Sequence, residues 1–254
     1  MMNHFRRIAI TAILLTVTLI AGATEFKPES LHYKVLYKWG LINKVAGRAT
    51  VSLRPTDGGF RATLTARTEP WADRIYYLRD TLVTIMQAPS MAPRRYERIA
   101  HEDGNFAHDI VEFIHSGNMV TGNSTRYRKR RKDTEMTTAT TTLSATGTTV
   151  DMLSAFYYLR SLDFLKMKQG EKHSINIFSG KKKETLTITY SGLQQIEVAG
   201  TKQATFLVTF TFTTDGKTSS DPVKVWLSAD NRKIPLRLEG QLKIGKIIIE
   251  HTSG

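Results

Sequence analysis

The amino-acid sequence predicts a mainly β protein: a strongly curved antiparallel sheet, or an incomplete β-barrel, with one main helix at about residues 150–166 packed against its concave face. Three features carry that expectation. Apolar and polar residues alternate with period two along most of the chain. Turn signals containing glycine separate the alternating runs. One segment alone breaks into a strong helical period. Alternation gives a strand one buried and one wet face, as in antiparallel sheets. With so few helices to cover the apolar side, the sheet is expected to curl over itself.

Residues 1–23 read as a secretory signal peptide. Arg6 and Arg7 make a basic start, Ile8 to Ile20 form an apolar stretch, and Ala21-Gly22-Ala23 is a small-residue cleavage site. The stretch is short against the roughly 20 residues of a bilayer span. The chain has no cysteine, so the signal lacks a lipid-attachment residue, and disulfides and thiolate metal sites are excluded as well. Residues 24–254 are expected to form a single β-rich domain, soluble and exported to the periplasm.

Tyr33, Val35, Tyr37 and Trp39 fall on one side of the first strand. Val45 to Leu53 alternates with Arg48, Thr50 and Ser52, and Phe60 to Ala66 alternates with Arg61, Thr63 and Thr65. Asp57-Gly58 between them is a hairpin signal, because glycine accepts the positive φ of such turns. Pro70 suits the first turn of a short helix in EPWADRIYYL. His101, His108 and His115 recur at an odd spacing that sends neighbours to opposite faces of a strand, so they are expected to be surface or half-buried side chains and not a metal site. The basic run Arg126, Arg128, Lys129, Arg130, Arg131 and Lys132 is a strand end or hairpin tip, and also the candidate contact with an anionic surface. The threonine-rich segment 135–149 reads as a loop or an irregular edge strand.

In the helical segment Val150, Leu153, Phe156 and Tyr157 lie at helical spacing. Thr148 or Thr149 is expected to cap it, Asp151 suits the positive end of its dipole, and Gly170 lies past its end. Beyond it Leu186, Ile188 and Tyr190, then Phe206, Val208, Phe210 and Phe212, alternate with threonines. The last run, through Ile234, Leu236, Leu238, Leu242 and Ile244, reads as one long strand with one apolar face. Gly47, Gly240 and Gly245 mark expected bends. Trp226 is expected to pack against the sheet.

Chemistry is sparse. Ser154 lacks the glycine-flanked elbow of a serine hydrolase, and neither a phosphate-binding glycine loop nor a zinc motif occurs. Asp80, Asp151 and Asp230 are the acids an enzyme acting on glycan or lipid would have to gather with a histidine, and their spacing places none of them together. The formal charge is +13. Export turns that charge toward anionic envelope surfaces, with no nucleic acid expected as partner.

Several segments resemble one family. DMLSAFYYLRSL, with Asp151, Ser154, Tyr157 and Arg160, resembles the central helix of the bacterial domain-of-unknown-function family numbered 3108. VKVWLSADNRKIPLRLEGQLKIGKI resembles its C-terminal pattern, YKWGLINKVAGRATVSL (Trp39, Gly40, Gly47, Ala49) its N-terminal strands, and YYLRDTL, through Asp80, the segment after the first hairpin. The likeness spans nearly all of the chain after residue 23, and the basic run departs from it. It implies an exported, β-rich envelope protein and no particular activity. A looser architectural likeness is to periplasmic lipoprotein carriers.

The functional expectation is a non-enzymatic periplasmic binding or accessory protein, without cofactor. Its partner would be a lipid or other apolar envelope component, with the basic run on an anionic membrane surface or glycan. Phe206, Val208, Phe210, Leu236 and Leu238 are the candidate apolar lining. The alternative is a structural module that binds an envelope protein or glycan. The oligomeric state is left open by the sequence.

Overall fold

The computed structural model describes residues 25–218 and 221–252; the expected signal peptide lies outside the described residues. Eight strands follow one another as an antiparallel meander: β1 (Glu29–Trp39), β2 (Ile42–Thr56), β3 (Gly59–Thr68), β4 (Leu78–Gln87), β5 (Ala92–Glu102), β6 (Asn105–Ser116), β7 (Met119–Lys129) and β8 (Thr137–Thr146). A short helix, α1 (Pro70–Asp73), interrupts it where Pro70 predicted one. After β9 (Thr149–Val150) comes the main helix, α2 (Ser154–Ser161), and then β10 (Lys172–Phe178), β11 (Lys183–Val198) and β12 (Thr201–Thr214). The chain ends with β13 (Lys217–Thr218), β14 (Val223–Ser228), β15 (Pro235–Gln241) and β16 (Lys246–Thr252).

All sixteen strands belong to one sheet. Its order is β8-β7-β6-β5-β4-β3-β2-β1-β16-β15-β14-β12-β11-β10-β9, with β13 beside β12. β1 pairs with β16, so the two halves of the chain are joined, and the sheet curls into a nearly closed barrel with one open seam between its end strands. The threonine-rich segment is the edge strand β8. The long C-terminal run is a hairpin and not a single strand: the Leu242 N–H bonds the Gly245 carbonyl at 3.0 Å, and Gly245 takes a φ of +77° that most side chains resist. Leu242 and Ile244 therefore sit in an exposed turn instead of sharing the apolar face of Leu236 and Leu238.

Curvature comes from bulges. Opposite Val35 and Leu36 the register skips Ala46, next to Gly47, where a Cβ would come within 2.7 Å of the Arg67 carbonyl oxygen. Further shifts fall at Tyr190/Gly192 and Trp226/Leu227. The inner face follows the predicted alternation. Leu31, Val51, Leu64 and Leu82 stand in one cross-strand row, and Leu53, Ala62, Thr84, Tyr96 and Val111 in another.

Helix α2 lies inside the curl and is shorter than the expected 150–166. Its start is set by Asp151 and not by a threonine: the carboxylate accepts from the Leu153 and Ser154 N–H groups, both at 2.8 Å. Its end comes early because Leu162 turns extended (ψ 141°) and Phe164 leaves the helical path to bury against Phe206 and Tyr190. One side of the helix, through Leu159, joins the cluster of Ile175, Ile188, Phe206, Val208 and Leu227; Leu153 and Tyr157 join that of Leu31, Val51, Met86 and Leu236. The helix thus binds both halves of the sheet into one interior. At the seam the end of β10 lies on the inner face of β6 and β7. Phe178 stacks on Phe113 at 5.7 Å, and the Ser124 hydroxyl donates to the Gly180 carbonyl at 2.6 Å.

Candidate functional site

The basic run resolves into two parts because strand alternation continues through it. Val120, Gly122 and Ser124 point inward on β7, so Arg126 and Arg128 do too. Both reach Asp109 on β6, at 2.8 and 2.5 Å, and that carboxylate is only 3% exposed. On the neighbouring strands Arg98 bonds Asp80 at 2.8 Å and Glu102 at 2.5 Å. Burial raises the Asp80 pKa, and Arg98 opposes the rise. The sheet therefore carries a layer of paired charges on its inner face, close to one rim.

Beyond that layer the chain turns from β7 to β8 through residues 130–136. The Arg130 N–H bonds the Asp133 carboxylate at 3.0 Å, and Arg131 lays its stem over Gly104 and bonds Asn105 through its backbone. These parts enclose a cleft of about 1130 Å³ at the mouth of the barrel. Seven of its lining residues are cationic (Arg98, Arg126, Arg128, Lys129, Arg130, Lys132 and Lys181) and three are acidic (Glu102, Asp133 and Glu135). Among the described residues Lys129, Arg130, Lys132 and Lys181 form no ion pair, so the cleft holds cations available to a ligand. A second groove of about 620 Å³ lies between β1 and β5, with Arg67, Arg79, His32 and His101 in its lining.

The candidate apolar lining has a different setting. Phe206 and Val208 are buried within the core cluster around Ile188 and Leu227, with Phe210 and Leu238 packed against it. Leu236 sits in the cluster beside Tyr33 and Tyr157. None of the five lines either cavity.

The three acids considered for catalysis occupy separate settings. Asp80 bonds Arg98 on the inner face. Asp151 is fully buried; besides capping α2 it accepts from the Thr84 and Ser154 hydroxyls at 2.7 and 2.8 Å. Burial raises its pKa and these donors pull the other way. Asp230 organises a turn, accepting from the Ser228 hydroxyl and the Arg232 and Lys233 N–H groups. The histidines are equally dispersed: His101 lies against Phe106, His108 bonds Glu97, and His115 bonds the Pro93 carbonyl. Among the described residues no three His, Asp or Glu side chains form a group able to hold a metal ion.

Sequence reasoning did not reach Arg98, Glu102 or Lys181 as parts of the cleft, or Asp109 as the partner of Arg126 and Arg128. The opposite charges of Asp109 and Arg126 were the available signal, and the β6–β7 register shows that they meet. The buried Arg160 was noted only as part of a motif. It forms a two-point ion pair with Glu29, at 2.5 and 3.1 Å, and donates to the Arg232 carbonyl.

Comparison with known proteins adds the following. The profile of a family described as "Protein of unknown function (DUF3108)" matches residues 32–252. A crystal structure described as a beta-barrel-like protein of domain of unknown function DUF1849, from Brucella abortus, superposes with a TM-score of 0.59 at 12% identity, covering 91% of this chain and 98% of that one. This shows a shared fold. A "putative lipoprotein" from Parabacteroides distasonis covers 88% of this chain and 94% of its own, at 9% identity and a TM-score of 0.31. No curated protein matches.

Proposed function

The chain belongs to the DUF3108 family of proteins of unknown function, and from that premise we propose that it is an exported, non-enzymatic binding protein of the bacterial envelope that takes the anionic headgroup of an envelope lipid in its basic mouth. The observation that carries the reading is the cleft of about 1130 Å³ in which Lys129, Arg130, Lys132 and Lys181, beside the paired Arg126 and Arg128, form no ion pair among the described residues. Basic side chains near anionic lipid each contribute about 1 kcal/mol. The packed setting of Phe206, Val208 and Leu236 favours a headgroup at the rim over an acyl chain within the barrel. The basic start and small-residue cleavage site of residues 1–23 support export to the periplasm.

The test is a titration of the protein purified from the periplasm with dihexanoyl phosphatidylglycerol, dihexanoyl phosphatidylcholine and inorganic phosphate. The expected result is saturable binding of the phosphatidylglycerol that weakens with salt and is absent for the choline lipid. Arg130→Glu with Lys132→Glu should weaken it at least about tenfold. Equal binding of both lipids, or an unchanged double variant, would contradict the reading. Binding of phosphate alone would identify a free anion as the ligand.

A further inference from the structure

Fourteen large apolar side chains are exposed among the described residues, and eight of them lie on three turns at one rim of the barrel. Trp39, Leu41 and Ile42 form the β1–β2 turn, Ile75, Tyr76 and Tyr77 the segment between α1 and β4, and Leu242 and Ile244 the β15–β16 turn. Leu41 is fully exposed, Ile75 is 74% exposed and Ile244 60%. Such a concentration on a surface marks a contact site, whereas scattered apolar residues would not.

The three turns are contiguous. β1 pairs with β16 up to Lys38 and Lys246, and the Tyr37 hydroxyl donates to the Ile244 carbonyl at 3.2 Å, which holds the first and third turns together. On the other side Trp71 of α1 donates its ring N–H to the Val45 carbonyl at 2.7 Å, and the Lys44 ammonium lies 4.7 Å from the centre of the Trp71 ring. The Tyr77 N–H then bonds Asp103 at 2.8 Å in the β5–β6 turn, beside Gly104 and the stem of Arg131. The apolar tips therefore stand on the same rim as the basic mouth.

Exposed cations outnumber exposed acids on the tips, where Asp103 is the exposed carboxylate. Lys44, Arg74 and Lys243 are exposed among them, while Asp73 is bound to Arg79 and Glu69 to Arg48. Apolar tips that include tryptophan and tyrosine, set among unpaired cations, match the two layers of an anionic bilayer surface: acyl boundary beneath, phosphate above. We propose that this rim is a membrane-docking surface, which inserts Trp39, Leu41, Ile75 and Ile244 into the headgroup boundary of an anionic bilayer and so presents the basic mouth to the lipid plane. The proposal rests on the envelope reading above but uses different residues.

Two assays on the full exported protein separate the claims. Flotation uses vesicles of phosphatidylcholine alone and of phosphatidylcholine mixed with phosphatidylglycerol. The expected result is flotation with the anionic vesicles only. The variant Leu41→Asp with Ile75→Asp and Ile244→Asp, all at exposed positions, should lose it by at least about tenfold, yet keep its titration with dihexanoyl phosphatidylglycerol. Three results would overturn docking: no flotation of the native protein, unchanged flotation of the triple variant, or a native dimer that the triple variant converts to monomer. A failed titration with intact flotation would sink the mouth reading and leave docking standing.

Discussion

Arg160 is 2% exposed and shared among Glu29, the Arg232 carbonyl and the faces of Phe26, Phe156 and Tyr157, each ring about 5 to 6 Å from the guanidinium carbon. Removing Arg160 leaves Glu29, 11% exposed, with only the longer Arg232 contact at 3.7 Å among the described residues. Arg160→Met should therefore cost about 3–5 kcal/mol in a urea titration, and a cost within the error of the measurement would show that Glu29 finds water instead. Asp151 makes a pH-dependent prediction. Burial holds its folded pKa above the ordinary aspartate value, so its contribution is fully present below the unfolded pKa and is lost as pH rises through the folded one. Midpoints of the native protein and of Asp151→Asn, measured across that window, should diverge in favour of the native protein toward low pH. A constant difference would place the folded pKa at its unfolded value. The sequence made Asp151 legible as a residue suited to a helix start. Its bond to Thr84 was not legible, because nothing local links residues 67 apart.

At the level of elements, period-two alternation identified β1, β2, β3, β11 and β12, passed over β4, β5 and β10, and failed where a turn mimics a strand. Leu242 and Ile244 continue the spacing of Leu236 and Leu238, so only the positive φ of Gly245 distinguishes a hairpin from one long strand. The helix was legible from its period and its start from Asp151, but its early end was set by the tertiary packing of Phe164, which no local signal encodes. The basic run was legible as a site, although its division into inward Arg126 and Arg128 and outer Lys129 to Lys132 needed the register of β6 on β7. The seam gives a test at this scale. A Cβ on Gly122 would fall 2.5 Å from the Phe178 ring and 3.0 Å from Val111, whereas one on Gly240 would meet nothing closer than Val223 at 3.8 Å. Gly122→Ala should lose about 1–3 kcal/mol, and Gly240→Ala should be neutral or slightly stabilising. Equal effects would mean that β10 does not rest on β7.

For the whole molecule, joining β1 to β16 and placing α2 within the curl brings the core clusters of both halves onto one helix, and the larger of the two cavities opens at the rim. There the meander delivers the ends of β5 and β7, the residue 130–136 turn and Lys181 to a single mouth. Among the described residues Lys129, Arg130, Lys132 and Lys181 at that mouth, and Lys44, Arg74 and Lys243 beside the apolar tips, form no ion pair. Mapping amide chemical shifts on the exported protein during addition of dihexanoyl phosphatidylglycerol tests this arrangement most directly. Shifts confined to β5–β7 near Arg98 and Arg126, to the 130–136 turn and to Lys181 are the predicted result. Shifts centred instead on Phe206, Val208 and Leu236, with the mouth silent, would contradict it.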